Sequence, residues 1–169
     1  MPKDEISKEI EAKFGGHLRS RVNGILIEDD LLLMVKHQMG NGRFLWSVPG
    51  GGMNYGSSAI QNLKREFLEE TGLVIEVERY LFVHEYLKTP LHAMEHFFQV
   101  KRINGEVILG KDPELSGENQ ILLEISWISI NQLKQIPRET LHQVFWGINS
   151  FSELGLWKGY FNFENNSIK

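Results

Sequence analysis

Between Asp4 and Phe14, Ile6, Ile10 and Phe14 recur four residues apart among charged neighbours. That spacing puts them on one stripe of a short amphipathic helix, which Gly15 and Gly16 stop. The period then changes. Two runs rich in Val, Ile and Leu, 21–27 and 31–37, flank the acidic triplet Glu28-Asp29-Asp30 and predict a β-hairpin. Leu31 to Val35 is apolar without alternation, as in a strand buried on both faces. A glycine- and asparagine-bearing loop, 38–43, precedes a short strand, 44–48, which ends at Pro49 and three glycines. Helical period returns from Ser58 to Thr71, with Ala59, Ile60, Leu63 and Phe67 on one face. Ser58 with Gln61 makes a capping-box pattern, and Gly72 stands where a left-handed terminating residue belongs. Strands follow at 74–85 and 93–103, separated by a turn around Pro90. Asn104-Gly105 makes a further turn before a short strand at 106–109. A polar loop, 111–120, leads to the last strand, 124–130. Helices are expected at 131–135 and 138–150, the second facing inward through Leu141, Val144, Phe145 and Ile148. Strands interleaved with a central helix and terminal helices predict an α/β (α+β) fold, a mixed sheet flanked by helices on both faces.

Composition narrows the function classes. A chain of 169 residues with 41% hydrophobic content fits one domain, residues 1–169, made of the helix at 4–14, a core of about 19–150 and a C-terminal extension, 151–169. Without cysteine there is no disulfide, thiolate zinc site or cysteine nucleophile, and a reducing cytoplasmic location is expected. The net charge of −4 carries no basic stripe, so no nucleic-acid partner is expected. The charged amino terminus and the lack of a long apolar run predict neither signal peptide nor membrane span.

Candidate chemistry concentrates between Gly50 and Leu73. On the predicted helix, Glu66, Glu69 and Glu70 fall within an arc of roughly 100°. Like charges three and four apart destabilise a helix by a few tenths of a kcal/mol per pair unless solvent or a cation relieves them. A solvated helix face would account for the carboxylates alone. The preceding Gly50-Gly51-Gly52 tips the balance toward a hard divalent cation and a phosphate, because residues without Cβ let backbone groups approach a ligand.

In this segment the chain resembles the Nudix family, whose signature is G-x5-E-x7-R-E-U-x-E-E-x-G-U with U apolar. Gly51, Arg65, Glu66, Phe67, Glu69, Glu70, Gly72 and Leu73 fall in register, and Ser57 replaces the first glutamate. Trp46-Ser47-Val48-Pro49 before the motif and Trp127 near the last strand extend the likeness to about 19–133. The resemblance implies a loop-helix-loop in an α/β/α sandwich and hydrolysis of a nucleoside diphosphate linked to another group. Mg²⁺ or Mn²⁺ would be held by Glu66, Glu69, Glu70 and the Gly50 carbonyl, with Arg65 orienting. Glu69 and Glu118 compete as general base, ahead of Glu114 and Glu124. In the family the missing glutamate pairs with the arginine and steadies the loop, so Ser57 bears on the aim of Arg65.

Outside the motif, Phe44, Trp46 and Tyr86 could stack a base, and Arg19, Arg21 and Arg43 could clamp phosphate. His37, His84, His92 and His96 are scattered over strands and a turn, which predicts no histidine metal site. ADP-ribose or a nucleotide sugar is the favoured small-nucleotide substrate, with Pro90 near a proline that ADP-ribose-cleaving relatives often carry. The alternatives are a house-cleaning nucleoside triphosphate pyrophosphohydrolase and a non-hydrolytic nucleotide-sensing module. Phe145, Trp146, Phe151 and Trp157 offer apolar area for a homodimer.

Overall fold

The structure is a computed structural model that describes residues 4–111 and 121–163. In chain order its elements are α1 (Glu5–Phe14), β1 (Leu18–Ile25), β2 (Ile27–Glu28), β3 (Leu31–Gly40), β4 (Arg43–Ser47), β5 (Gly50–Gly52), α2 (Ala59–Thr71), β6 (Val74–Lys88), β7 (Leu91–Asn104), β8 (Leu122–Ile128), α3 (Ile130–Leu133) and β9 (Gly159–Phe161), with 3-10 turns at Arg138–Thr140, Gln143–Phe145 and Phe151–Gly155. A five-stranded mixed sheet runs β5-β1-β7-β6-β9, and a second sheet joins β2, β3 and β4, with β8 on β3. The mixed α+β fold is the one the pattern predicts.

Alternation along β7 divides the core. Phe97 joins Ile25, Met34, Phe82 and Val144 in one cluster, while Phe98 and Val100 join Leu63 and Phe67 of α2 in another. The apolar run of β3 is buried from Leu32 to Val35 because both faces of the strand are covered: Leu32 and Met34 enter the first cluster and Leu33 the second. On α2 the capping box and the left-handed Gly72 (φ 74°) are both present, but Ile60 faces solvent rather than the core.

α1 is not a detached appendage. The Asp4 carboxylate caps it through Ser7 N–H at 2.8 Å and also accepts the Asn41 N–H from the β3–β4 turn. Gly40 has φ 77°, and a Cβ there would lie 2.1 Å from Ser7 Oγ, so the turn needs glycine to seat the helix.

The structure departs from the sequence reading at five further points. The runs 21–27 and 31–37 pair as strands only through the two residues of β2, since β1 pairs with β5 and β7 in the other sheet. Residues 106–109 form no strand; they run along the end of α2, with Ile108 N–H donating to the Thr71 carbonyl. The helix expected at 138–150 is replaced by two 3-10 turns. Its inward residues are buried as expected, but Leu141 bridges Trp46 and the His142 N–H donates to the Trp46 carbonyl, so the backbone is committed to β4. The extension after Ser150 contributes β9, parallel to β6, where Trp157 and Phe161 pack on Phe82. Lastly, Phe145 and Phe151 lie in the core and Trp146 and Trp157 pack against it, so these side chains serve the interior. No helix of the described residues is long and apolar enough to cross a membrane.

Candidate active site

Packing of Leu63 and Phe67 against Val22 and Leu26 presses the adjacent face of α2 onto β5. The carboxylates on that face are therefore not solvated, as an isolated charged face would be: Glu66 is 8% and Glu70 5% exposed. Gly51 makes this possible, since a Cβ there would fall 2.3 Å from Glu66 Cδ. Glu70 Oε2 accepts the Gly50 N–H at 3.0 Å, and its Oε1 lies 3.7 Å from His37 Nε2. Arg65 serves two acids, Glu66 at 2.8 Å and Glu69 at 2.9 Å. Burial, reinforced by Glu70, pushes the Glu66 carboxyl up to about 7 despite the opposing Arg65 charge. Such a set of crowded, hard oxygen donors, with one guanidinium shared between Glu66 and Glu69, fits Mg²⁺ or Mn²⁺.

Ser57 is exposed and donates its N–H to the Asn54 carbonyl, so it does not stand in for a glutamate beside Arg65. Asn62, which sequence reasoning missed, joins the loop to the arginine instead. Its Nδ2 donates to the carbonyls of Ser57 (3.1 Å) and Ser58 (2.7 Å). Its Oδ1 accepts from the Asn54 N–H (2.8 Å) and from Arg65 Nη2 (3.3 Å). A polar residue at 62, on the buried side of a predicted amphipathic helix, was the available signal.

The carboxylates open onto a cleft lined also by Arg19, Arg21, Tyr86, Ile10 and Phe14. An adjoining cavity shares Ile10, Met39, Leu45, Tyr86 and Leu91 with it and reaches Arg43, Phe44 and Pro90. Of the residues expected to bind substrate, Arg21 and Tyr86 thus share the cleft with the acids, and Arg43 and Phe44 line the second cavity. Trp46 lines neither; it packs against the core with Lys36 Nζ 5.8 Å from its ring. Glu124 is exposed on β8 and accepts from Ser126, away from the cleft. Glu114 and Glu118 lie outside the described residues.

His84, which the sequence leaves apart from other possible ligands, converges with Glu95 and His142, their ligand-type atoms within 4.8 Å of one another. Both imidazoles address the same oxygen, Glu95 Oε1, at 3.0 and 2.8 Å, which is a hydrogen-bonded array. Burial opposes the Glu95 charge, but His142, His84 and Arg21 outweigh it and hold the carboxyl well below the usual range.

A sequence model of the NUDIX domain matches residues 17–145. The chain belongs to the Nudix family. Among its relatives, an ADP-ribose pyrophosphatase of Methanocaldococcus jannaschii is 30% identical over 57% of this chain and 58% of its own length. A candidate mutator protein, MutT4, of Mycobacterium tuberculosis is 32% identical over 54% of this chain and 36% of its own. The chain therefore spans between about a third and three fifths of these two relatives. A UDP-X diphosphatase structure superposes with a TM-score of 0.62 at 19% identity, covering 93% of this chain and 74% of that one. An ADP-ribose pyrophosphatase from Streptococcus suis gives 0.58 at 17%, covering 85% and 98%. At these identities the Nudix likeness of the structures is one of fold.

Proposed function

We propose that this Nudix chain hydrolyses the pyrophosphate linkage of a nucleoside diphosphate joined to a second group, of the ADP-ribose or nucleotide-sugar type, with Mg²⁺ or Mn²⁺ as cofactor. The observation that carries this reading is the two-part cleft: buried acids line one part only, and a shared apolar wall leads into the other. A linkage hydrolysed at the acids would leave one group against Ile10, Phe14 and Tyr86, with room beyond for the other.

Glu66, Glu69 and Glu70 would hold the cation, with the Gly50 carbonyl in support. When bound, it neutralises charge on the pyrophosphate and makes an attacking water more acidic. Arg65 orients Glu66 and Glu69 through its paired contacts. Glu69, half-buried and less enclosed than its neighbours, is the candidate among the described residues to accept the water proton; Glu118 is the alternative. Arg21 and Arg19 bring positive charge to the same cleft. Burial raises the Tyr86 pKa, so its hydroxyl stays protonated and can donate to the substrate. The intact acid set favours hydrolysis over passive sensing.

The test is a screen of the purified protein with Mn²⁺ against ADP-ribose, nucleotide sugars, dinucleoside polyphosphates and nucleoside triphosphates, with products separated by ion exchange. The expected products are a nucleoside monophosphate and the phosphorylated second group. Turnover of triphosphates alone, with release of pyrophosphate, would overturn the reading.

A further inference from the structure

Strand register places Arg21 opposite Glu95 and Glu95 opposite His84, one row across β1, β7 and β6. Side chains directly opposite on one face of a sheet interact, so the row brings a guanidinium, a carboxylate and an imidazole together between the two sheets. His142 arrives from the other side, at the head of the Gln143–Phe145 turn. Its Nδ1 accepts the Val144 N–H at 3.3 Å, which leaves its proton on Nε2, aimed at Glu95 Oε1. His84 Nδ1 also meets that oxygen. An ionised carboxylate only accepts, so the imidazole is the donor there too.

One side of Glu95 is thereby locked. Its other oxygen, Oε2, lies 3.8 Å from Arg21 Nε, and that nitrogen is buried with no hydrogen-bond partner among the described residues. Arg21 and Glu95 both line the cleft that holds Glu66, Glu69 and Glu70. A carboxylate serving only to tie the sheets would be satisfied by the two imidazoles. Here it also sets a negative charge beside the root of an arginine fork that lines the substrate cleft.

We propose that Glu95, clamped by His84 and His142, is a positioning residue that fixes the Arg21 guanidinium in the cleft for the diphosphate of the substrate. The assignment rests on the pyrophosphohydrolase reading given above. Arginine is a long side chain whose fork is valuable when its direction is set in advance, because less freedom is then lost on binding. Glu95 supplies that direction from a buried anchor the substrate need not touch.

The test uses Glu95→Gln in the full chain, with two readouts. In wild-type protein the Arg21 Nε–H should give a resolved, slowly exchanging ¹⁵N–¹H signal in the absence of nucleotide; in the variant it should become exchange-averaged. In parallel, binding of α,β-methylene ADP in Mn²⁺ should weaken about tenfold in Glu95→Gln, with nucleotide-free Mn²⁺ binding within twofold of wild type. Combining Glu95→Gln with Arg21→Met should cost no more than Arg21→Met alone. If Glu95→Gln does not fold, Glu95→Asp, which keeps the charge but withdraws it from Arg21, should give the same pattern. An Arg21 signal already averaged in wild type overturns the proposal, as does a variant that loses Mn²⁺ and analogue binding together. Wild-type protein that binds no analogue while its Arg21 signal responds as expected supports the positioning and counts against the pyrophosphohydrolase reading alone.

Discussion

Glu66→Gln should make the metal-free protein more stable at pH 8, although it removes a side chain central to the site. Burial raises the Glu66 carboxyl to about 7, against an ordinary value of 4.5. The folded state thus prefers the protonated acid, and the stability that protonation lends is complete below pH 4.5 and lost as pH rises through 7. At about 1.4 kcal/mol per pH unit, that interval corresponds to a penalty of about 3 kcal/mol at pH 8. Glutamine has the shape of the protonated acid and no charge. The 2.8 Å ion pair with Arg65, which the variant gives up, is already counted in that value. The net gain is thus about 3 kcal/mol at pH 8 in EDTA, or roughly 6–12 °C in Tm. At pH 5 the two proteins should melt together. Saturating Mn²⁺ should cancel the difference at pH 8, because an ion at 100 times its Kd stabilises the wild type by about 2.7 kcal/mol and loss of a proposed ligand charge would weaken its binding to the variant. Urea unfolding at both pH values, with and without Mn²⁺, measures all four cases. A variant destabilised equally at pH 5 and pH 8 in EDTA would refute the buried, crowded state of Glu66, and one that Mn²⁺ stabilises as much as the wild type would refute its place among the metal ligands.

Asn62→Leu removes the polar link between the 54–58 loop and Arg65 and should lower kcat about tenfold, with a stability loss of about 2 kcal/mol from unpaired backbone groups, read by steady-state kinetics and urea unfolding. Ser57→Glu offers Arg65 a further, exposed partner and should raise turnover no more than about fivefold, with a larger recovery in the Asn62→Leu background; loss of activity would mean that the loop cannot bring residue 57 to Arg65. Gly51→Ala puts a Cβ 2.3 Å from Glu66 Cδ and should weaken Mn²⁺ binding at least tenfold by calorimetry. Glu70→Gln should abolish Mg²⁺-dependent hydrolysis while circular dichroism stays native, because the amide oxygen can still accept the Gly50 N–H.

The elements legible in the sequence were those whose signals are local. Ser58, Gln61 and Gly72 bound α2 by capping chemistry within four residues of each end, and the structure has both caps. The apolar run of β3 announced its own burial. Between 138 and 150 the apolar spacing was right and the element wrong. Burial of Leu141, Val144, Phe145 and Ile148 is equally served by 3-10 turns once the backbone bonds to Trp46, a partner more than ninety residues away. The burial of Glu66 and Glu70 was illegible for the same reason, since it depends on how closely β5 approaches α2.

That contrast separates the two halves of the site. The acids and the glycines that admit them lie within one contiguous stretch, Gly50 to Glu70, so their register alone exposes them. The opposing wall comes from α1, β3, β4, β6 and β7, and only strand pairing and the docking of α1 bring Ile10, Leu45, Tyr86 and Leu91 to one cleft. α1 reads in sequence as a peripheral amphipathic helix, yet Gly40 and Asp4 seat it so that Ile10 and Phe14 face the acids. Arg19 extends this wall, its guanidinium 4.2 Å from the Phe14 ring. In the proposed reading the chemistry is thus fixed by local register, while the choice of substrate falls to residues whose neighbours are distant in the chain. Substitutions at Ile10 or Phe14 should accordingly shift KM between substrates, and those at Glu70 should act on kcat for all of them.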